Sequence, residues 1–145
     1  MRPSDFLLAL PDRVREGLTD QRRALQWQQR WGLLKLWYRD PRIHYEVGFH
    51  RRIERLEVGL HFEADPATNR RLLEHFDANL IVAKIEISDR VEAEPWDRGW
   101  SRVYEMLPIE PLDDRYLRHV AGRTARLISV LEPLLEEAEL SPRPS

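Results

Sequence analysis

The chain has 145 residues, with 23 lysines and arginines against 25 aspartates and glutamates, a formal net charge of -2, 42% hydrophobic and 9% aromatic residues, and no cysteine. That size supports one core burying roughly two-thirds of the unfolded surface, the apolar share excludes a wholly disordered chain, and a mean hydropathy of -0.58 leaves no membrane-spanning stretch. The charge balance excludes strong global attraction to nucleic acid or anionic lipid, and the missing thiols exclude disulfides, thiolate metal sites and cysteine nucleophiles.

Residues 1–13 hold only a short apolar run between charges, without a signal-peptide core, so a cytoplasmic address is expected. One domain is predicted over 1–145, with 1–11 and 140–145 as loose ends. Asp12 is placed to cap a helix reaching Trp31, with Val14, Leu18, Leu25 and Trp31 near one face and Gly32 as its stop. Residues 6–10 precede Pro11 and read as a separate helical turn, since proline disfavours helical geometry at the residue before it.

Residues 33–63 alternate apolar and polar three times, interrupted at 39–42 and 51–55, which predicts a three-stranded antiparallel meander. Across the first turn Leu36 meets Tyr45, Leu34 meets Val47 and Lys35 meets Glu46. In the second hairpin, pairing Phe49 with Val58 sets Gly48 opposite Gly59. A register slipped by two residues keeps the same faces and pairs His44 with His61 instead.

Asp65-Pro66 is a strong helix start. Leu73, Phe76, Leu80, Ala83 and Ile87 continue the stripe, and helix is preferred over 80–87 although Ile81, Ala83, Ile85 and Ile87 also alternate as a strand would. Residues 91–95 and 100–107 form a second hairpin around Asp97-Arg98-Gly99. After an extended connector at 107–111, Asp113 or Asp114 caps a long final helix whose Leu117, Val120, Leu127, Leu131 and Leu134 follow a three-four spacing, with Pro133 expected to bend it. The predicted fold is α+β in the order α-βββ-α-ββ-α, with the N-terminal, middle and C-terminal helices on the apolar face of an antiparallel sheet.

The other face of the meander collects Trp37, His44, Glu46, His50, Glu57, His61 and Glu63, with Gly48 and Gly59 among them. Imidazoles and carboxylates suit zinc, iron or manganese. No HExxH-type spacing accompanies them, and cross-strand histidine-glutamate and lysine-glutamate pairs on a wet surface, at about 0.2–1 kcal/mol each, are the expectation; no metal and no cofactor is assigned. Glycines inside strands imply something lying over them, either a tryptophan of this chain or a ligand or partner. Trp27 and Trp31, four apart, share a face of the predicted first helix. Arg51, Arg52 and Arg55 sit at a hairpin tip beside acids, so nucleic-acid contact is not the expectation. No Walker loop, GxSxG elbow or GxGxxG turn occurs, and Glu46-Val-Gly48 and Glu57-Val-Gly59 lack the lysine of an acidic-x-lysine nuclease strand.

Residues 56–63, Asn69-Arg-Arg-Leu-Leu73 and 94–104 together resemble a family of small bacterial α+β proteins of unknown function. The resemblance implies a strand-helix-hairpin order and brings no activity or site with it. The expectation is a small cytoplasmic interaction or binding protein without an evident catalytic motif. Self-association as a homodimer through the first or final helix is expected, an unknown protein partner is open, and no membrane is involved. The alternatives are a metal-dependent hydrolase using His44, His61 and nearby glutamates with an activated water, and a nucleic-acid accessory module.

Overall fold

The computed structural model describes residues 1–140, so the tail 141–145, most of the predicted C-terminal loose end, lies outside the described residues. The elements are α1 (Pro3–Glu16), β1 (Gln26–Arg30), β2 (Leu33–Trp37), β3 (Ile43–His50), β4 (Arg55–Phe62), α2 (Pro66–Ala78), α3 (Leu80–Glu86), β5 (Glu92–Pro95), β6 (Ser101–Pro108) and α4 (Asp114–Leu140). The six strands form one sheet in the order β1-β2-β3-β4-β6-β5, every neighbouring pair antiparallel. The fold is α+β, as the hydrophobic pattern predicts. No helix among the described residues is long and apolar enough to cross a membrane.

The first third departs from the expected order. A single helix runs through Pro11 and ends at Glu16, with the Gly17 amide capping it on the Val14 and Arg15 carbonyls; a side chain at 17 would stand 2.8 Å from the Cβ of Ala125 on α4. Phe6, Leu7, Leu10 and Val14 are fully buried, so much of 1–11 belongs to the core. Burying each such side chain contributes roughly 1.5–3 kcal/mol, enough to hold a helix across a proline that gives up one hydrogen bond. Residues 26–30 are then an edge strand on β2, making the meander four-stranded. Trp27 and Trp31 therefore share no helix face: Trp27 pairs with Leu36 across β1 and β2, and Trp31 stands 85% exposed at φ 60 in the following turn.

Elsewhere the local chemistry acts as expected. Asp65 caps α2 by accepting from the Thr68 amide at 3.0 Å, and Asp113 caps α4 by accepting from the Tyr116 amide at 2.9 Å. Residues 80–86 are helical, with Ala83 and Ile87 buried. The 27-residue α4 stays helical through Pro133. Leu34, Leu36, Val47, Val58, Leu60 and Phe62 meet Phe6, Leu7, Phe76, Leu127 and Leu131 in one core on the helix side of the sheet. Glu105 also faces that side, fully buried, where Arg123 donates to it at 2.8 Å and Ser88 at 2.7 Å.

The two hairpins expected over 33–63 differ in how well the alternation fixes them. Leu36 opposes Tyr45, Lys35 opposes Glu46 and Leu34 opposes Val47, as predicted. In the second hairpin the slipped register holds: His44 opposes His61, Gly48 opposes Glu57 and Gly59 opposes Glu46. Here the chain turns through a short 3-10 segment at Arg51–Ile53 with Glu54 left-handed at φ 52, which brings His50 opposite Arg55 and fixes every later pair.

Candidate metal centre

The sheet face away from the helices is lined by alternate residues of β2, β3, β4 and β6. Its central residues are buried: His44 and His61 are each 1% exposed and Glu57 0%, which overturns the wet surface expected for this face. The reason is non-local. Strand β6 lies against β4 and sets Arg102 opposite His61 and Tyr104 opposite Gly59, so long side chains of this chain roof the face. A Cβ on Gly59 would stand 2.6 Å from the Cβ of Tyr104, so the glycine serves close approach by tyrosine rather than by the tryptophan expected. Gly48 faces only ordinary contacts, with Leu33 Cβ 3.5 Å from the position of its missing Cβ.

Four of the sequence candidates come together. His44, Glu46, His61 and Glu63 each offer one donor atom, and these atoms lie within 4.8 Å of one another. The register explains this: the two imidazoles oppose each other across β3 and β4, with ring centroids 5.6 Å apart and planes at 18°. Each glutamate follows its histidine by two residues, Glu46 within β3 and Glu63 just past β4, and the Glu63 amide donates to the Arg42 carbonyl at 2.8 Å.

Hydrogen-bond accounting assigns the ring nitrogens. His44 Nδ1 faces the Pro41 carbonyl at 3.0 Å; a carbonyl only accepts, so Nδ1 carries a proton. The remaining Nε2 faces Glu46 Oε1 at 3.1 Å and Glu63 Oε2 at 3.8 Å. A neutral ring would there oppose two acceptors, an arrangement that needs a proton or a cation between them. His61 donates Nε2–H to Glu57 Oε2. Its Nδ1 is buried without a hydrogen bond, 3.4 Å from Glu63 Oε2.

The charges around this set are strongly perturbed. Burial pushes the Glu57 carboxyl up, but hydrogen bonds from His50 and His61 and the charge of Arg102 outweigh it and hold it down at about 2. Burial likewise disfavours a charged His61, and Glu57, Glu63 and Glu46 overcome that to raise it to about 9. Glu63 lies below the usual range because His61, His44 and Lys35 offset its burial. Without a metal His61 is charged, its Nε2–H on Glu57 and its Nδ1–H toward Glu63 at 3.4 Å, so a metal bound at Nδ1 takes the place of that proton.

These residues fit a divalent transition ion. Zinc bonds of about 2.0–2.2 Å to nitrogen and carboxylate oxygen place tetrahedral donors about 3.4 Å apart; the separations of 3.1, 3.4 and 3.8 Å straddle that value, while Glu46 Oε2 lies 3.7 Å from His61 Nε2, so its approach to the Nδ1 side needs a turn of the Glu46 side chain. Two imidazoles exclude a hard-ion preference for calcium or magnesium, which take oxygen ligands. The Glu46 and Glu63 side chains, 13% and 15% exposed, open the set to solvent.

Of the other candidates, Glu57 and His50 lie one step outside the donor set, joined to each other at 2.9 Å. Trp37 is half-buried at the end of β2. Sequence reasoning passed over Arg102, Glu94 and Tyr104, and read Trp96 only as an aromatic flanking the second hairpin turn. The guanidinium of Arg102 lies 3.8 Å from the Trp96 ring centre and 3.9 Å from that of Tyr104, and it donates to Glu57 Oε1 at 2.6 Å. The one available signal was the alternation of Arg102 and Tyr104 against Val103 and Leu107. Arg51, Arg52 and Arg55 lie in the β3–β4 turn and at the start of β4, and Arg70 and Arg71 lie on α2. No family model, curated protein or solved structure matches the chain.

Proposed function

We propose that this chain is a binding protein for a divalent transition metal, with zinc the best fit, held by His44 Nε2, Glu46, His61 and Glu63. The observation that carries this reading is the convergence of two buried imidazoles and two partly exposed carboxylates, with His61 Nδ1 turned to Glu63 at 3.4 Å and His44 Nε2 to Glu46 at 3.1 Å. Four protein donors complete a tetrahedron, which supports a closed site for binding over a catalytic site with an open position for water. The hydrolase alternative would need one glutamate to leave the metal.

The test is a zinc titration against a chromophoric chelator, with protein purified without a histidine tag and stripped of metal, alongside thermal melts. One zinc per chain is expected. Free zinc at a hundred times Kd would stabilise the fold by about 2.7 kcal/mol, a rise in Tm of roughly 5–10 °C for a domain of this size. Failure to bind zinc, manganese or iron(II), with unchanged melting, overturns the reading.

Self-association is a second reading, supported by Trp31 at 85% exposure beside the open edge of β1. The helices considered for this role by sequence serve the chain's own core, with Leu117, Val120, Leu127 and Leu131 of α4 all buried. Light scattering after size exclusion would return twice 17.3 kDa for a dimer.

A further inference from the structure

Resting on the metal reading, we propose that Glu57 is a positioning residue that turns His61 so that the two stacked imidazoles bind one metal through opposite ring nitrogens, His44 by Nε2 and His61 by Nδ1. The Pro41 carbonyl occupies His44 Nδ1 and leaves Nε2 for the metal. Glu57 occupies His61 Nε2 and leaves Nδ1, the buried nitrogen without a hydrogen bond. A half-turn of the His61 ring would point a carbon at the Glu57 carboxylate and move Nδ1 away from Glu63.

Glu57 is itself held by two donors besides His61. Its Oε1 accepts from Arg102 Nη1 at 2.6 Å and from His50 Nε2 at 2.9 Å. The Arg102 guanidinium is clamped between the Trp96 and Tyr104 rings and also donates to Glu94 Oε1 at 2.8 Å. The missing side chain at Gly59 makes room, since a Cβ there would stand 3.2 Å from Glu57 Oε2 and 2.6 Å from Tyr104 Cβ. A histidine ligand whose far nitrogen is held by a carboxylate, with that carboxylate itself hydrogen-bonded, is the arrangement that orients metal-bound imidazole, and losing such a partner costs about 10- to 100-fold in metal affinity.

The test combines long-range 15N–1H imidazole spectra of the wild-type protein, with and without one equivalent of zinc, and zinc affinity of the Glu57→Gln variant. Expected are zinc-induced shifts at His44 Nε2 and His61 Nδ1, with protons retained on His44 Nδ1 and His61 Nε2. Glu57→Gln is expected to bind zinc 10- to 100-fold more weakly while its metal-free form keeps the wild-type circular dichroism. The spectra need no variant, so a poorly folding Glu57→Gln leaves the proposal exposed to refutation. Zinc bound through His61 Nε2, or a well-folded Glu57→Gln with affinity within twofold of wild type, overturns the positioning role and leaves the metal site standing. A wild-type protein that takes up no zinc overturns both.

Discussion

Glu132 on α4 offers the sharpest test of the electrostatics on the helix side of the sheet. The residue is 1% exposed, and its Oε2 has no hydrogen-bond partner, as is also true of the Tyr45 hydroxyl. The Arg39 Nη2 is 3.4 Å from Oε1. Burial raises the carboxyl from 4.5 to about 7, with Arg39 and Arg22 only partly opposing it and Glu136 and Glu139 adding to it. The folded-state value exceeds the unfolded one, so the folded state binds the proton more tightly. Its contribution is complete below about pH 4.5 and is lost as pH rises through 7. The difference between 4.5 and about 7, at 1.36 kcal/mol per pH unit, predicts a loss of about 3 kcal/mol across that window. Glu132→Gln cannot ionise and should escape the loss. Urea denaturation of both proteins at pH 5, 6, 7 and 8, with chelator present, measures the difference, and titrations elsewhere, including His61, cancel if the sites are independent. The variant should lie within about 1 kcal/mol of wild type at pH 5 and exceed it by about 2–3 kcal/mol at pH 8. Parallel curves would refute the reasoning.

Gly59→Ala forces a Cβ to 2.6 Å from Tyr104 Cβ and 3.0 Å from the Val103 carbonyl, and should destabilise by about 1–3 kcal/mol in urea denaturation; a change below about 0.5 kcal/mol would show that the strands part freely. Trp31→Gly relieves a left-handed residue at φ 60, and should stabilise by about 0.5–1 kcal/mol after the greater freedom of unfolded glycine is subtracted. A loss above about 1 kcal/mol would instead reveal a packing contact across a dimer. At the acid end, Glu57 is held at about 2, so its contribution is present above pH 4.5 and disappears as pH falls toward 2. Circular dichroism during acid titration should record that decline, and stability flat from pH 4.5 to 2 would contradict it.

The meander and its two faces were legible because alternation over 33–63 has a period of two, and that period survives any even slip in register. For the same reason the second hairpin was not fixed. What decides it is the turn at 51–54 with Glu54 left-handed, a conformation that a non-glycine sequence does not announce. The candidate ligands were legible as a set, since His44, Glu46, His61 and Glu63 share one face. Their burial was not, because it depends on β6 lying beside β4, a pairing between residues some 41 apart (His61 with Arg102). That burial shifts the weight from exposed pairs to a ligand set. Gln26, Gln28, Gln29 and Arg30 favour helix by propensity, and an edge strand exposed along most of its length leaves almost no apolar pattern to contradict them. The end of α1 at Glu16 was not legible: the expected helix runs on through Gly17 to Trp31, and the glycine answers to Ala125 on a helix more than a hundred residues away.

Anomalous scattering at the zinc edge, from crystals grown with one equivalent of zinc, examines the donor set most directly. The account predicts a single strong peak about 2.0–2.2 Å from His44 Nε2, His61 Nδ1 and one oxygen each of Glu46 and Glu63. Zinc found only on exposed carboxylates or other surface histidines, with these four side chains bare, would contradict it.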